Sequence, residues 1–374
     1  MKILHVIDSA GMYGAEVMLL NLAKEQKKQG LRPLVLVFSK PGEQIKLIEQ
    51  IAKLECIPYE RFEISTIPSC SQLKRLQKLI VSQDIDLIHS HGYKGNIIFG
   101  LILRVCIDRP VLVTAHGWTS SGRNDLKLRF FECLDFFSLK FVDHLILVSK
   151  EMLALPRISK LYSKGRVSVV NNGLPILWSE RCEIEDDVAS FVTGKIVIGS
   201  LGRLSLEKGY SFLIDAFASL VGKDDQYVLL IIGDGPELLS LQRKITFLGL
   251  DKRIMLAGFR IRGDRYLSCF DYYVNSSLTE GLPMSILEAV RSKIPVMAPR
   301  IGSIPELLLE GEGGFLYDAG CEEGMQRAIY EMVIDRKEIE VKTLKAYENF
   351  ELHYTSSVMA HEYDEIYCSS YTDR

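Results

Sequence analysis

Short hydrophobic runs alternate with longer amphipathic segments along the whole chain. In the first half these runs predict strands over 3–7, 33–39, 87–90, 111–115, 145–148 and 167–171. The segments between them predict helices over 15–29, 44–54, 71–83 and 127–141, with a polar, irregular connection over 55–70. Buried strands that alternate with helices are typical of a mostly parallel sheet covered on both faces.

The second half repeats this pattern, with strands predicted over 196–201, 227–232, 253–256, 271–275 and 294–298. A last helix over 356–371 carries Met359, Tyr363, Ile366 and Tyr367 on one side. Between the halves, residues 175–194 are rich in Glu and Asp. We therefore predict an α/β protein of two doubly wound domains, 1–176 and 196–354, joined by a linker over 177–195.

The composition is that of an ordinary globular protein, with 47% hydrophobic and 25% charged residues among 374. Its eight cysteines are scattered, without a Cys-x-x-Cys pair, which indicates reduced thiols rather than disulfides or a zinc site. Residues 1–7 form too short an apolar run for a signal peptide, and residues 97–103 too short a run for a membrane span. We expect a cytoplasmic protein.

Charge is distributed unevenly between the two halves. Residues 1–178 carry 24 Lys and Arg against 16 Asp and Glu, whereas residues 179–374 carry 21 against 32. Two interpretations stay open: peripheral contact of the first half with an anionic membrane or phosphorylated lipid, on the inner face of the plasma membrane, or ordinary surface variation. No recognised motif or long basic run indicates nucleic-acid binding.

The most informative stretch runs from Glu280 to Glu288 and brackets the start of a predicted helix. Gly281 and Pro283 interrupt the chain just before that helix. A helix N-terminus presents unpaired N–H groups and partial positive charge, so the turn over 282–285 is a candidate phosphate seat. Two acids on either side of it suit a sugar and a ribose joined by a diphosphate.

Two basic residues follow the predicted strand over 196–201. Arg203 offers a rigid fork for phosphate oxygens, and Lys208 offers a compact cation. Because the carboxyl ends of parallel strands share one edge of a sheet, we expect both cations to lie near the 280–288 segment.

Eight short motifs occur in order across most of the chain. They are Gly-Ala-Glu (14–16), Thr-Ala-His-Gly (114–117), Val-Asn-Asn-Gly (170–173), Gly-Arg-Leu-Ser-Leu-Glu-Lys-Gly (202–209), Gly-Asp-Gly-Pro-Glu (233–237), Ala-Gly-Phe (257–259), Glu-Gly-Leu-Pro-Met-Ser-Ile-Leu-Glu-Ala (280–289) and Ile-Pro-Glu (304–306). In order and spacing the chain resembles the retaining glycosyltransferases of family 4, nucleotide-sugar-dependent enzymes with the GT-B fold. The resemblance implies two Rossmann-like domains facing a cleft, with the C-terminal helix, 355–374, crossing back to the first domain.

The resemblance also implies roles for individual residues. Arg203 and Lys208 would hold the donor diphosphate, Glu288 the ribose hydroxyls and Glu280 the donor sugar. The turn that assists them consists of Gly281, Leu282, Pro283, Met284 and Ser285. We expect the backbone near Gly258 and Phe259 to meet the base.

In the first domain the resemblance singles out a glycine and a histidine. Gly14 lies in the turn after the first strand, where a small residue lets the backbone approach a phosphate or sugar. His116 follows a strand, from which a histidine donates to the sugar or to a transition-state oxygen; a loop histidine with satisfied hydrogen bonds is the alternative. Two residues depart from the family pattern: Tyr13 replaces the first glycine of the usual pair, and Ser303 replaces a glycine before Ile-Pro-Glu.

No metal or cofactor is expected, since cations and a helix N-terminus already face the diphosphate. Asp84-Ile-Asp86 imitates an Asp-x-Asp metal motif but precedes a strand instead of ending one. His89 and His91 share one strand face, and the sequence shows no third ligand beside them. An acceptor-side or packing role is therefore expected for this pair.

The predicted activity is hexosyl transfer from a UDP- or GDP-sugar to a hydroxyl acceptor, such as a lipid-linked or surface polysaccharide intermediate. Two alternatives stay open: a nucleotide-sugar epimerase, and a non-catalytic scaffold of a glycan pathway on the same fold. Gly233-Asp-Gly-Pro is not a dinucleotide fingerprint, which argues against a dehydrogenase. The basic and aromatic segment over 123–141 fits either an interfacial membrane helix or a buried amphipathic one.

Overall fold

The computed structural model describes residues 1–9, 11–12, 14–116, 126–162, 165–176, 184–222 and 226–372. The chain divides into two compact units. The first consists of Met1–Pro175 with Ser356–Arg374, and the second of Ile176–Thr355. The C-terminal segment therefore belongs to the first unit, as the family resemblance implies.

The first unit contains a parallel sheet of seven strands in the order β3-β2-β1-β4-β5-β6-β7. The strands are β1 (Lys2–Ile7), β2 (Arg32–Ser39), β3 (Tyr59–Glu63), β4 (Leu87–Ser90), β5 (Val111–Ala115), β6 (His144–Leu147) and β7 (Val167–Val169). Its helices are α1 (Gly14–Lys28), α2 (Leu47–Leu54), α3 (Cys70–Ser82), α4 (Tyr93–Ile97), α5 (Leu126–Ser138), α6 (Pro156–Tyr162) and the C-terminal Ser356–Thr372. A π-helical turn, Ile98–Ile102, extends α4, and Lys150–Ala154 is a 3-10 helix.

The second unit contains a parallel sheet of six strands in the order β10-β9-β8-β11-β12-β13. The strands are β8 (Ile196–Leu201), β9 (Tyr227–Ile232), β10 (Ile254–Leu256), β11 (Tyr272–Val274), β12 (Val296–Pro299) and β13 (Phe315–Tyr317). Its helices are α7 (Asp186–Val192), α8 (Tyr210–Val221), α9 (Leu238–Phe247), α10 (Met284–Arg291), α11 (Ile304–Leu307), α12 (Glu322–Ile334) and α13 (Arg336–His353), and the C-terminal helix above is α14. Shorter 3-10 helices cover Leu206–Lys208, Gly263–Cys269 and Leu309–Gly311.

Both sheets have the strand order of a doubly wound nucleotide-binding fold, which confirms the predicted fold class. In the first sheet the order reverses between β1 and β4, and in the second between β8 and β11. Helices on both faces leave the inner strands almost wholly buried, so these strands read as continuous hydrophobic runs. Ligands of such sheets bind at the carboxyl ends of the strands beside the reversal.

Two edge strands were missed by the hydrophobic pattern. Residues 55–70 were predicted as an irregular connection, which is wrong, because Tyr59–Glu63 pairs with β2 as an edge strand. Its sequence, YERFE, buries Phe62 alone, so it lacks the hydrophobic run of an inner strand. The three-residue strand β13 pairs with β12 at the edge of the second sheet. Neither edge strand needs a long apolar run, because each has a single strand neighbour.

The C-terminal helix α14 packs on the first sheet, which confirms the predicted return of the chain. Met359, Ala360, Tyr363 and Tyr367 are buried there against Ile3, Met18, Leu22 and Leu87. These residues lie on β1, α1 and β4, so α14 covers the centre of the sheet.

The acidic segment predicted as a linker contains the helix α7, with Val188 buried in the second unit. Asp186 and Asp187 occupy its first turn, where negative charge is favourable beside the positive end of the helix dipole. The acidic residues that indicated a linker thus begin a helix, and 177–183 lie outside the described residues. Within the described ranges no helix is both long and apolar enough to span a membrane.

Candidate functional site

The turn after β8 positions two predicted cations at the carboxyl edge of the second sheet. Arg203 is exposed, and Lys208 ends the 3-10 helix Leu206–Lys208. Gly209 follows with a φ of +63°, and a Cβ built on it would lie 2.2 Å from the carbonyl oxygen of Ser276. Glycine is needed here because the turn closely approaches the backbone that follows β11.

Lys208 and Glu280 form an ion pair, although 72 residues separate them. The same carboxylate oxygen, Oε1, accepts a hydrogen bond of 2.7 Å from the hydroxyl of Ser277. The hydroxyl of Ser276 donates to the carbonyl oxygen of Lys208 at 2.7 Å and fixes the turn beneath the pair. The structure thus brings together an acid and a cation that the sequence assigns to one site.

Helix α10 begins four positions after Glu280, and its N-cap residue, Pro283, provides no side-chain hydrogen bond to the helix N-terminus. Its first N–H groups are therefore left for water or an anion. Leu282, Pro283 and Met284 are buried, whereas Gly281 and Ser285 are partly exposed. The predicted phosphate-binding turn is thus buried in its middle and reaches solvent at Gly281 and Ser285.

Hydrogen bonds from β11 and from the residue that precedes α11 hold this turn. The hydroxyl of Tyr273 donates to Ser285 Oγ at 2.8 Å, and the N–H of Ser303 donates to the carbonyl oxygen of Gly281 at 2.9 Å. A Cβ on Gly302 would lie 2.0 Å from that same oxygen, and φ of Gly302 is +57°. Ser303 has a φ of −84°, which any residue adopts, so serine replaces the usual glycine without backbone strain.

Glu288 is partly exposed on α10, in an unusual electrostatic environment. Burial of the carboxyl and the nearby Asp264 raise the pKa of Glu288 to about 8, against the opposing charges of Arg291 and Arg262. Arg262 and Asp264 follow the predicted base-binding residues Gly258 and Phe259 by a few positions. The acid assigned to the ribose therefore faces the segment that follows the one assigned to the base.

Gly258 and Phe259 form an exposed turn after β10. Gly258 has a φ of +74° with open space around its Cα, and its carbonyl oxygen accepts from the N–H of Gly233 at 2.9 Å. Phe259 is 56% exposed. An exposed aromatic ring beside open backbone suits stacking and hydrogen bonding to a planar base.

In the first unit, Gly14 begins α1 just beyond the end of β1. Tyr13, the departure from the family pattern, lies outside the described residues. Asp8 also follows β1 and is held 3.2 Å from Lys46 and 3.5 Å from Lys94. The sequence did not single out these two lysines, because they come from separate segments of the chain.

His116 follows β5 and is partly exposed. Its Nε2 lies 3.4 Å from Nδ1 of His91. Burial lowers the pKa of His116 to about 4, so its imidazole is neutral at physiological pH. Residues 117–125 lie outside the described residues.

His89 on β4 and His91 just after it have a third histidine neighbour, which corrects the sequence interpretation. His5 on β1 pairs in register with His89, and the ligand atoms of His5, His89 and His91 all lie within 4.8 Å of one another. However, His5 Nδ1 and His91 Nε2 are 3.0 Å apart, with a hydrogen bond between them. A metal ion would have to displace that bond. The third histidine escaped detection because it lies 84 residues before His89 and only the sheet brings it near.

Two other sequence features have structural explanations. Asp86 accepts a hydrogen bond of 2.6 Å from the backbone N–H of Lys2 and so anchors the start of β1.

The aromatic segment over 123–141 forms α5 from Leu126 onward. Phe130, Phe137 and Phe141 are 60%, 48% and 43% exposed. Residues 123–125 of this segment lie outside the described residues.

Comparison with known families matches both halves of the chain. Residues 12–176 match the model described as "Glycosyltransferase Family 4", and residues 183–349 match the model described as "Glycosyl transferases group 1". Each match covers most of one structural unit, and the two follow each other along the chain.

Two curated relatives carry glycosyltransferase names. Over 313 residues the chain is 25% identical to the UDP-Gal:alpha-D-GlcNAc-diphosphoundecaprenol alpha-1,3-galactosyltransferase of Escherichia coli, covering 80% of each protein. It is 35% identical over 139 residues to the lipopolysaccharide core biosynthesis glycosyltransferase LpsE of Rhizobium meliloti, covering 37% of this chain and 40% of that protein.

Solved structures share the fold at lower sequence identity. The protein HepE of Anabaena in complex with UDP-glucose is 22% identical, with a TM-score of 0.81 over 99% of this chain and 100% of that one. The sucrose-phosphate synthase of Thermosynechococcus elongatus is 16% identical, with a TM-score of 0.79 over 100% of both chains.

Proposed function

Because the chain belongs to glycosyltransferase family 4, with the GT-B fold, we propose that it transfers a hexosyl group from a UDP- or GDP-sugar to a hydroxyl acceptor. The ion pair between Lys208 and Glu280, at the foot of an uncapped helix N-terminus, is the observation that supports this most directly. It joins a phosphate-binding cation to an acid of the kind that holds sugar hydroxyls.

The donor would lie along the carboxyl edge of the second sheet. Its base would meet Gly258 and Phe259, its ribose Glu288, and its diphosphate the N-terminus of α10 together with Arg203 and Lys208. Positive charge from these two side chains and from the helix terminus would stabilise the departing nucleoside diphosphate. For the same reason we propose that the reaction needs neither a metal ion nor a cofactor.

Transfer would proceed with retention of configuration. The bond between C1 of the sugar and the β-phosphate oxygen breaks, and a bond from C1 to the acceptor oxygen forms on the same face. The proton of the acceptor hydroxyl passes to the departing phosphate oxygen, which balances the step. Glu280 fits an electrostatic and hydrogen-bonding partner better than a nucleophile, because Lys208 and Ser277 both engage its Oε1.

We propose a lipid-linked or surface polysaccharide intermediate as the acceptor. The Escherichia coli relative is named for a diphosphoundecaprenol-linked acceptor. The excess of Lys and Arg over residues 1–178 and the exposed phenylalanines at 130, 137 and 141 suit the headgroup region of such a carrier. Such a reaction would take place in the cytoplasm, at the inner face of the plasma membrane.

The test measures turnover of a panel of UDP- and GDP-sugars, with isolated lipid-linked glycan as the acceptor. Release of the nucleotide reports each turnover. Lys208→Met and Glu280→Gln should each lower kcat about 100-fold or more, the usual effect of removing one transition-state charge or hydrogen bond. Lys244→Met is the matched control, because Lys244 of α9 also forms an ion pair, with Asp215 of α8, and is also 26% exposed. It should retain full activity.

Two results would contradict the proposal. Nucleotide binding without turnover of any donor would favour the scaffold, and conversion of one nucleotide sugar into its epimer without release of nucleotide would favour the epimerase. Equal loss in Lys244→Met would show that the site variants report folding rather than chemistry.

A further inference from the structure

Eight side chains of the first unit form a continuous line of hydrogen bonds between the sheet and helices α1 and α14. The line ends at His116. Seven hydrogen bonds of 2.7 to 3.4 Å join its eight members. In order they are Tyr363, Thr114, His89, Tyr367, Gln26, His5, His91 and His116. All except His116 are at least 96% buried.

Burying this many polar groups is costly unless each finds a partner. The line lies between the sheet and helices α1 and α14, among the buried apolar side chains of that layer. Packing alone would be served by apolar residues at these positions. The line reaches solvent at His116, its one partly exposed member.

The histidines are neutral, which limits what each can do. Burial lowers the pKa of His5 to about 4 and, aided by the neighbouring histidines, holds the pKa values of His89 and His91 well below their usual range. A neutral imidazole donates through one nitrogen and accepts through the other. Between neighbouring neutral imidazoles, the direction of one hydrogen bond therefore sets the direction of the next.

Gln26 sets that direction, because its amide oxygen only accepts and its amide nitrogen only donates. The oxygen lies 2.7 Å from Nε2 of His5, which must donate, so Nδ1 of His5 carries no proton. Nδ1 of His5 then accepts from Nε2 of His91 at 3.0 Å. Nδ1 of His91 in turn accepts from Nε2 of His116 at 3.4 Å.

The other arm is consistent with the same orientation. The amide nitrogen of Gln26 donates to the hydroxyl of Tyr367 at 3.3 Å, and that hydroxyl donates to Nδ1 of His89 at 2.7 Å. Nε2 of His89 then donates to Thr114 at 2.7 Å. Thr114 donates to the hydroxyl of Tyr363 at 3.0 Å.

We propose that this line holds His116 in the tautomer with its proton on Nε2, so that Nδ1 accepts a hydrogen bond from a substrate hydroxyl. Gln26 is then a positioning residue that acts on His116 through His5 and His91. This inference rests on the proposed function for its substrate and reverses the expectation that His116 donates. The hydroxyl belongs either to the transferred sugar or to the acceptor.

The tautomer can be read without any reaction, from the side-chain nitrogen resonances of the full chain labelled with 15N-histidine. In the ligand-free protein, Nδ1 of His116 should be unprotonated and Nε2 protonated. Gln26→Glu should keep this state, because a carboxylate also accepts from His5. Gln26→Met should convert His116 to a mixture of tautomers.

Activity should follow the tautomer. Gln26→Met should lower kcat/KM about tenfold, the equivalent of one hydrogen bond. Gln26→Glu should keep most of the wild-type kcat/KM. Ser168→Ala is the matched control, since it removes the 2.8 Å hydrogen-bond partner of His144, a histidine outside the line. It should leave the His116 resonances and the activity unchanged.

The wild-type spectrum decides the inference even if a Gln26 variant fails to fold. A proton on Nδ1 of His116, an even mixture of tautomers, or a metal-bound nitrogen on His5 or His91 would overturn it. If the tautomer of His116 stays unchanged in folded Gln26→Met, Gln26 does not position His116. Lack of turnover with the expected tautomer would instead contradict the proposed function alone.

Substrate addition then identifies the source of the hydroxyl. A change at Nδ1 of His116 on adding nucleotide sugar alone would assign it to the transferred sugar, and a change that also needs the acceptor would assign it to the acceptor. Product formation without any change at this nitrogen would overturn the hydrogen bond.

Discussion

At the residue scale, Glu288 differs most from an ordinary surface acid. Its raised pKa, about 8, means that the folded protein keeps a proton that the unfolded chain releases near pH 4.5. Stability from this group is fully present below pH 4.5 and is lost as pH rises toward 8.

Glu288→Gln should therefore lose this pH dependence. Relative to the variant, the wild type should lose on the order of 2 kcal/mol between pH 4.5 and pH 8.5, less than the full shift implies because the side chain is partly exposed. Denaturant unfolding at both pH values measures the difference. The exposed Glu340, changed to Gln, is the control, and identical curves for wild type and Glu288→Gln would contradict the environment described for Glu288.

Motif spacing predicted the proximity of Lys208 and Glu280, because both follow strands that meet at one edge of a sheet. It missed the contact of His5 with His89 and His91, because His5 stands alone in an apolar strand. Such a residue reads as an irregularity in the core until the register of β1 and β4 is known. The contacts of Asp8 with Lys46 and Lys94 were missed because the three residues come from separate segments of the chain.

At the element scale, the site depends on tight turns between strands and helices. Gly209→Ala should destabilise the protein by about 2 kcal/mol or more, because the new methyl group meets the carbonyl oxygen of Ser276 as well as a strained backbone. It should also weaken donor binding by shifting Lys208. Denaturant unfolding and nucleotide titration measure the two effects.

Gly249→Ala provides the matched control for that prediction. Gly249 has a φ of +67°, close to the +63° of Gly209, but nothing lies within 4 Å of an added Cβ. Gly249→Ala should therefore introduce backbone strain without a steric clash and lower the free energy of unfolding by about 1 kcal/mol. Equal losses in the two variants would show that close approach to Ser276 does not matter.

Most inner elements were predictable from periodicity, and several strand bounds agree with the prediction to the residue, including Leu87–Ser90 and Tyr227–Ile232. The edge strands β3 and β13 were not, since β3 has one buried apolar residue and β13 is only three residues long. Helix α7 was hidden by its acidic first turn, which resembles a linker in composition. Strand β3 and helix α7 bury one residue each, Phe62 and Val188, whereas β13 buries Phe315 and Tyr317 but is only three residues long.

At the scale of the whole molecule, helix α14 links the end of the chain to the start of the first sheet. Periodicity predicted its apolar side, whereas the resemblance alone supplied its return to the first unit. Tyr363 and Tyr367 bury their rings in the core and extend their hydroxyls to Thr114 and His89. The last helix thus contributes both to the apolar core and to the line that ends at His116.

The central claim is that the second unit binds a nucleoside diphosphate through the segment from Glu280 to Glu288. Thermal unfolding without added metal, with UDP, GDP, ADP or CMP, tests it most directly in wild type, Glu288→Ala and the control Glu340→Ala. One nucleoside diphosphate should stabilise wild type and Glu340→Ala by about 2.7 kcal/mol at 100 times its Kd. It should not stabilise Glu288→Ala. The claim is contradicted if Glu288→Ala is stabilised as much as wild type, or if all three proteins are folded and no nucleotide stabilises any of them.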